Sequence, residues 1–142
     1  MATPRKLLII DDDPDFVDGI KSVLTKAEYA VDIAYNPKEG WTALETGQYG
    51  LLLLDIMMGR GAEGVMIARK LRKDARLKNT PVLILTGMRK QISFLFPGGQ
   101  VHPGSIFADE LLEKPIEPAL LLAKIAALLK AADAKKAQGV QE

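Results

Sequence analysis

Four apolar runs in this sequence each stop at a side chain able to do chemistry. Leu7–Ile10 runs into Asp11-Asp12-Asp13, Leu51–Leu54 into Asp55, and Pro81–Leu85 into Thr86, while Leu111-Leu112 is followed by Lys114. If these runs are adjacent parallel strands, the side chains at their carboxyl ends converge on one edge, where open α/β sheets bind their ligands. Three carboxylates held together need a cation to stay ionised. The chain has no cysteine and one histidine, His102, so the donors are oxygens. Oxygen donors favour a hard ion, and one or two carboxylates plus waters is the usual Mg²⁺ arrangement. A hydroxyl from Thr86 and an ammonium from Lys114 facing such a site form a clamp for a transferred phosphoryl group. Asp55, alone at its strand end, is then the natural nucleophile or acceptor.

Each residue also has an ordinary reading. Asp13, directly before Pro14, reads as a helix N-cap rather than a ligand. Asp11 or Asp12 alone would be a loop acid, Thr86 alone a strand-end residue, and Lys114 alone a solvated lysine before Pro115. The weight lies in the set, in this order, at four strand ends. His102 sits in a Pro/Gly stretch and reads as exposed. Met57-Met58 reads as loop packing. The basic run Arg69–Arg76 reads as a solvated helix face. Leu120–Leu129 reads mainly as core, with an apolar arc broad enough for part of it to serve an interface.

The elements that must position these groups follow from periodicity. The short, bounded runs at 7–10, 51–54 and 81–85 suit strands buried on both faces, and Ala30–Tyr35 alternates like a strand. Pro14 opens a helix carrying Phe16, Val17, Ile20, Val23 and Leu24 at helical spacing. Asn36-Pro37 repeats the cap-plus-proline start, with Gly47 as its stop. Gly59–Gly64 is a glycine-rich loop, and Val65–Asp74 has helical spacing with basic residues outward. Leu111-Leu112 is a weaker strand. Glu117-Pro118 opens a long Leu/Ala-rich helix fading into a polar tail from Ala134. Strands alternating with helices mean a parallel sheet covered by helices on both faces. Met88–Ser105, which holds Phe94-Leu95-Phe96-Pro97-Gly98-Gly99, is punctuated by Pro and Gly and reads as a short helix plus a structured loop.

Composition sets the outer limits. At 142 residues the chain is one domain, with 48% hydrophobic and 26% charged residues in an ordinary globular balance. The lack of cysteine removes disulfides, thiolate nucleophiles and Cys-ligated metals. A net charge of +1 gives no general reason to bind nucleic acid. The apolar stretches are strand-sized or interrupted by charge, and the N-terminus is not a signal peptide. The expectation is a cytoplasmic protein with no membrane contact.

The segments Leu-Leu-Ile-Ile-Asp-Asp-Asp-Pro-Asp-Phe (7–16), Leu-Leu-Leu-Leu-Asp-Ile-Met-Met (51–58), Pro-Val-Leu-Ile-Leu-Thr-Gly (81–87) and Leu-Glu-Lys-Pro-Ile (112–116) together resemble a CheY-like receiver domain of two-component response regulators. The resemblance covers roughly residues 5–131. It implies an α/β fold: a doubly wound, five-stranded parallel sheet of order 2-1-3-4-5 in a flavodoxin-like three-layer sandwich. Residues 1–131 would be the receiver and 132–142 a polar tail. The resemblance implies that Asp55 is the phosphoacceptor. It assigns Mg²⁺ to Asp11, Asp12, Asp55 and the backbone carbonyl of Met57, the switch hydroxyl to Thr86 and the phosphate-pairing role to Lys114. The chain would then be a switch rather than an enzyme, phosphorylated by a histidine kinase or histidine phosphotransfer protein and open to autodephosphorylation. It would act as a monomer or weak homodimer. With no output domain after residue 131, it would signal by contact with a downstream protein.

The sequence departs from the family pattern in four places. Gly59 replaces the usual proline, in a loop one residue long for the family. Gly87 keeps access to Thr86 open. Leu111 stands where the switch aromatic is usual, although Phe107 lies four residues earlier. The span from Thr86 to Lys114 is long, and its excess falls in Phe94–Gly104, giving an atypical fourth-helix region. An output surface of Phe94, Leu95, Phe96 and Leu111 follows from these features. Two other readings compete: a phosphorylation-independent receiver-like interaction module, and a haloacid-dehalogenase-like phosphatase, which would leave Asp55 without a role.

Overall fold

A computed structural model describes residues 5–58, 63–87 and 107–139. Five strands form one parallel sheet: β1 (Lys6–Ile10), β2 (Ala30–Ala34), β3 (Leu51–Asp55), β4 (Val82–Thr86) and β5 (Glu110–Glu113), in the order β2-β1-β3-β4-β5. The described helices are α1 (Pro14–Lys26), α2 (Pro37–Thr46), α3 (Glu63–Lys73) and α4 (Pro118–Gly139). The fold class and strand order are those the sequence implies.

Side-chain alternation along the strands builds two cores. Leu8, Ile10, Leu52, Leu54, Val82 and Ile84 face one way and pack with Leu44 of α2 and with Ile67 and Leu71 of α3. Leu7, Ile9, Leu51, Leu53, Leu83 and Leu85 face the other way and pack with Val17, Ile20 and Leu24 of α1 and with Leu121 and Ile125 of α4. The inner strands β3 and β4 are buried at every position, as continuous apolar runs in a helix-covered parallel sheet require. The edge strands carry charge instead. Asp32 of β2 pairs with Lys6 at 3.1 Å and accepts from Tyr49 Oη at 2.6 Å. Glu110 of β5 pairs with Lys124 at 3.3 Å. Such charges blunt the exposed edges of the sheet.

The helix starts behave as their cap residues predict. Asp13 accepts from the amides of Asp15 and Phe16 at 3.1 and 3.3 Å. Asn36 accepts from Glu39 N at 2.8 Å, and the Glu39 carboxylate accepts from Asn36 Nδ2 at 2.6 Å, closing a reciprocal cap. α2 ends at Gly47. Two helix boundaries differ from the sequence reading. α3 begins at Glu63, so Gly64 lies in its first turn rather than in the loop. α4 does not fade at Ala134 but continues to Gly139. Ala and Lys are strong helix formers, nothing breaks the run before Gly139, and Ala132 is still buried.

Arg72 ties the end of α3 to the segments that lead into β4 and β5. Its guanidinium donates to the carbonyls of Phe107, Lys78 and Thr80 and pairs with Asp109 at 2.7 Å. The segment Met88–Ser105, with Phe94, Leu95, Phe96 and His102, and the glycine-loop positions 59–62 lie outside the described residues. Among the described residues no helix is long and apolar enough to cross a membrane.

Candidate functional site

The carboxyl ends of β1, β3, β4 and β5 bring the chemistry-bearing residues to one edge. Register fixes their relative heights. Ile10 is level with Leu54, so Asp11 and Asp55 leave neighbouring strands side by side. Asp55 is level with Leu85, and Thr86 with Glu113, so Thr86 and Lys114 lie just beyond them. The Thr86 carbonyl accepts from Lys114 N at 2.6 Å, fixing the start of the β5–α4 turn against β4. The Lys114–Pro115 peptide is cis.

Asp11, Asp12 and Asp55 each offer a carboxylate oxygen, and these oxygens lie within 4.8 Å of one another. Asp11 and Asp55 are buried, whereas Asp12 is exposed. Both oxygens of Asp11 are engaged: Oδ1 accepts from Asp13 N at 3.0 Å, and Oδ2 accepts from Lys114 Nζ at 2.8 Å. Asp55 Oδ1 accepts from Met57 N at 3.3 Å, which places Met57 beside the cluster. Lys114 thus meets the acidic cluster through Asp11. Burial pushes the Asp55 carboxyl up to about 7, and the negative charge of Asp11 adds to the rise. The Lys114 ammonium and the Met57 amide pull the other way, and Asp12 contributes a smaller rise. All-oxygen donors with excess negative charge suit a hard divalent cation, so the residues present fit Mg²⁺.

Thr86 is fully buried, and its Oγ1 has no hydrogen-bond partner among the described residues. A buried hydroxyl without a partner is costly, and here it stands at the edge of a cationic and acidic cluster. Leu111 is half-buried and packs against the core that includes Ile84. Phe107 is partly exposed and holds φ 62°.

Two residues of the site have no role in the sequence reading. The Phe16 ring lies under Lys114, with Nζ 4.0 Å from its centroid, a cation–π contact that helps aim the ammonium. Gly64 donates its amide to the Ile56 carbonyl at 3.0 Å, and a Cβ there would stand 1.9 Å from the Asp55 carbonyl oxygen. The glycine-rich stretch was a signal for the second. Nothing in the local sequence signals the first.

A five-stranded sheet of this order, with an acidic trio, a buried hydroxyl and a lysine at its strand ends, is the architecture of a receiver. The family model for the response regulator receiver domain matches residues 7–126, and the chain belongs to that family of two-component signalling domains. It is 32% identical over 130 residues to the response regulator Rre1 of Synechocystis, covering 91% of this chain and 53% of that protein. It is 35% identical over 125 residues to the transcriptional regulatory protein CusR of Escherichia coli, covering 88% of this chain and 51% of that one. The chain therefore spans about half the length of these relatives. Among solved structures, a CheY-like response regulator receiver domain protein from Methanospirillum hungatei superposes with a TM-score of 0.79 at 27% identity, over 93% of this chain and 98% of that one.

Proposed function

We propose that Asp55 is the phosphoacceptor of a two-component phosphorelay, taking its phosphoryl group from a phosphohistidine on a histidine kinase or histidine phosphotransfer protein. The observation that carries this reading is the buried Asp55 carboxyl gathered with Asp11 and Asp12, with Lys114 paired to Asp11. A carboxylate oxygen of Asp55 attacks phosphorus. The new P–O bond forms as the P–N bond breaks, and its electron pair goes to the imidazole nitrogen. A proton on the other ring nitrogen lets the imidazole leave neutral, and the product is an aspartyl phosphate.

Asp11, Asp12, Asp55 and the Met57 carbonyl would hold a Mg²⁺ ion, which would supply neutralising charge to the phosphoryl oxygens. The chain's own groups do the rest. Lys114 pairs with a phosphoryl oxygen, and the Thr86 hydroxyl donates to another, which gives a partner to an atom that has none among the described residues. The phosphoryl group adds about −1.5 to −2 charge, which draws Thr86 and Lys114 inward and shifts the loops after β4 and β5. The change leaves by contact with a downstream protein through Phe94, Leu95, Phe96 and the neighbourhood of Leu111, the partner being protein rather than nucleic acid or membrane.

Intact-mass measurement after acetyl phosphate and Mg²⁺ treatment tests the assignment. Wild type gains one phosphoryl group, and Asp55→Asn, shown folded by circular dichroism, gains none. Equal uptake by the variant overturns it.

A further inference from the structure

α2 and α3 lie on the same face of the sheet, and the groove between them has a volume of about 720 Å³. At 1.5 Å per residue each wall is roughly 15 Å long, about three helical turns. Trp41 and Glu45 line it at i, i+4 from α2, and Met66, Lys70 and Lys73 line it at i, i+4, i+7 from α3, so each helix presents one continuous stripe. The floor is apolar. Trp41 is half-buried, Ile67 is buried below, and Met66 is 61% exposed, more than any other large apolar side chain among the described residues. Methionine adapts its shape to different apolar partners.

The rim is basic. Lys38, Arg69, Lys70 and Lys73 outnumber Glu45 and Glu63 in a chain whose net charge is only +1. Lys38, Arg69 and Lys73 form no ion pair with a described residue. The Lys70 Nζ lies 4.1 Å from the Trp41 ring centroid, which holds an ammonium directly over the apolar floor. A groove of this length, with an apolar floor and a cationic rim, is complementary to one side of a helix.

We propose that the α2–α3 groove docks an acidic amphipathic helix of a partner protein. Its apolar side chains, at i, i+3 or i+4, and i+7, seat on Trp41, Met66 and Ile67, and its carboxylates face Arg69, Lys70 and Lys73. Nucleic acid fits less well, because its affinity comes from dense phosphate neutralisation, whereas two glutamates stand on this rim over an apolar floor. A bilayer is read by several protruding apolar groups, whereas here Met66 alone protrudes and Trp41 is half-buried beneath Lys70. Docking here does not depend on the chemistry at Asp55.

Trp41 is the chain's only tryptophan, so its fluorescence reports occupancy of the groove directly. The full chain is titrated with a synthetic peptide of about 18 residues, long enough for stable helix, carrying Leu and Phe at helical spacing among Glu residues. A peptide of the same composition with scrambled apolar positions, a single-stranded RNA oligonucleotide, and vesicles of mixed zwitterionic and anionic lipid are titrated in parallel. The amphipathic peptide alone should shift Trp41 emission saturably. Its dissociation constant should rise by about tenfold in the double variant Arg69→Glu, Lys73→Glu and also rise with salt. If circular dichroism shows that double variant unfolded, Met66→Asp takes its place with the same expected loss. The proposal is overturned if the scrambled peptide binds equally, if affinity ignores both salt and the substitutions, or if only RNA or vesicles saturate the signal.

Discussion

The Asp55 carboxyl is buried beside Asp11, and burial outweighs the opposing Lys114 ammonium, so its ionisation works against folding. Its folded-state value of about 7 lies above the ordinary 3.8. The stability associated with the protonated carboxyl is therefore fully present below about pH 4 and is lost as pH rises through about 7. In Mg²⁺-free buffer, Asp55→Asn should unfold at a higher temperature than wild type at pH 8. The gap should narrow through pH 7 and vanish near pH 4. Thermal scans across that range check the sign, and a variant less stable at pH 8 contradicts it. Thr86 behaves differently, because its cost is a hydroxyl without a described partner. Thr86→Val keeps the shape and removes that hydroxyl. It should gain about 1 kcal/mol and raise the melting temperature by roughly 3 °C. A comparable loss would mean that the hydroxyl is already bonded. These residues were legible in sequence because each ends an apolar run. The Lys114–Asp11 pair and the Phe16 ring beneath Lys114 were not, since both join parts of the chain that only tertiary packing brings together.

Elements were legible wherever a local signal bounded them. Asp13-Pro14 and Asn36-Pro37 start helices at those positions, and the apolar runs become the inner strands. Boundaries without a local breaker moved: α4 passes Ala134 because its Ala/Lys sequence keeps favouring helix. Gly64 was visible as part of a glycine cluster, but its use required the fold. It lets the first turn of α3 close onto the strand end that carries Asp55, where any Cβ would overlap the Asp55 carbonyl oxygen. Backbone cannot yield as a flexible side chain can, so Gly64→Ala must displace the start of α3 or the end of β3. A cost of about 2–3 kcal/mol in unfolding free energy is expected, in the range for overpacked sites. Denaturant melts should show it as a lower midpoint with little change in slope. Phosphoryl uptake from acetyl phosphate should slow in the same variant, because the displaced strand end carries the proposed acceptor. A melt unchanged from wild type would show that α3 can move aside freely.

At the scale of the whole molecule, the acidic site is a local concentration of charge in a nearly neutral chain, with three carboxylate oxygens within 4.8 Å of one another and a net charge of +1 overall. The unfolded chain disperses these carboxylates, since Asp55 is far in sequence from the acidic pair. A divalent cation that needs them together therefore binds the native state alone and stabilises it by mass action. At ten times its dissociation constant, Mg²⁺ should add about 1.4 kcal/mol, which for a chain of this size is roughly 4 °C in melting temperature. Two comparisons separate a bound ion from simple screening. Sodium chloride at equal ionic strength should give a much smaller rise, because screening weakens repulsion without occupying the site. Asp12→Ala changes an exposed side chain whose removal leaves the core intact, and it should lose most of the Mg²⁺-dependent rise while keeping its metal-free melting temperature close to that of wild type. Equal Mg²⁺ dependence in Asp12→Ala and wild type would remove Asp12 from the cation site. Equal rises with sodium and magnesium salts would reduce the acidic cluster to general electrostatics.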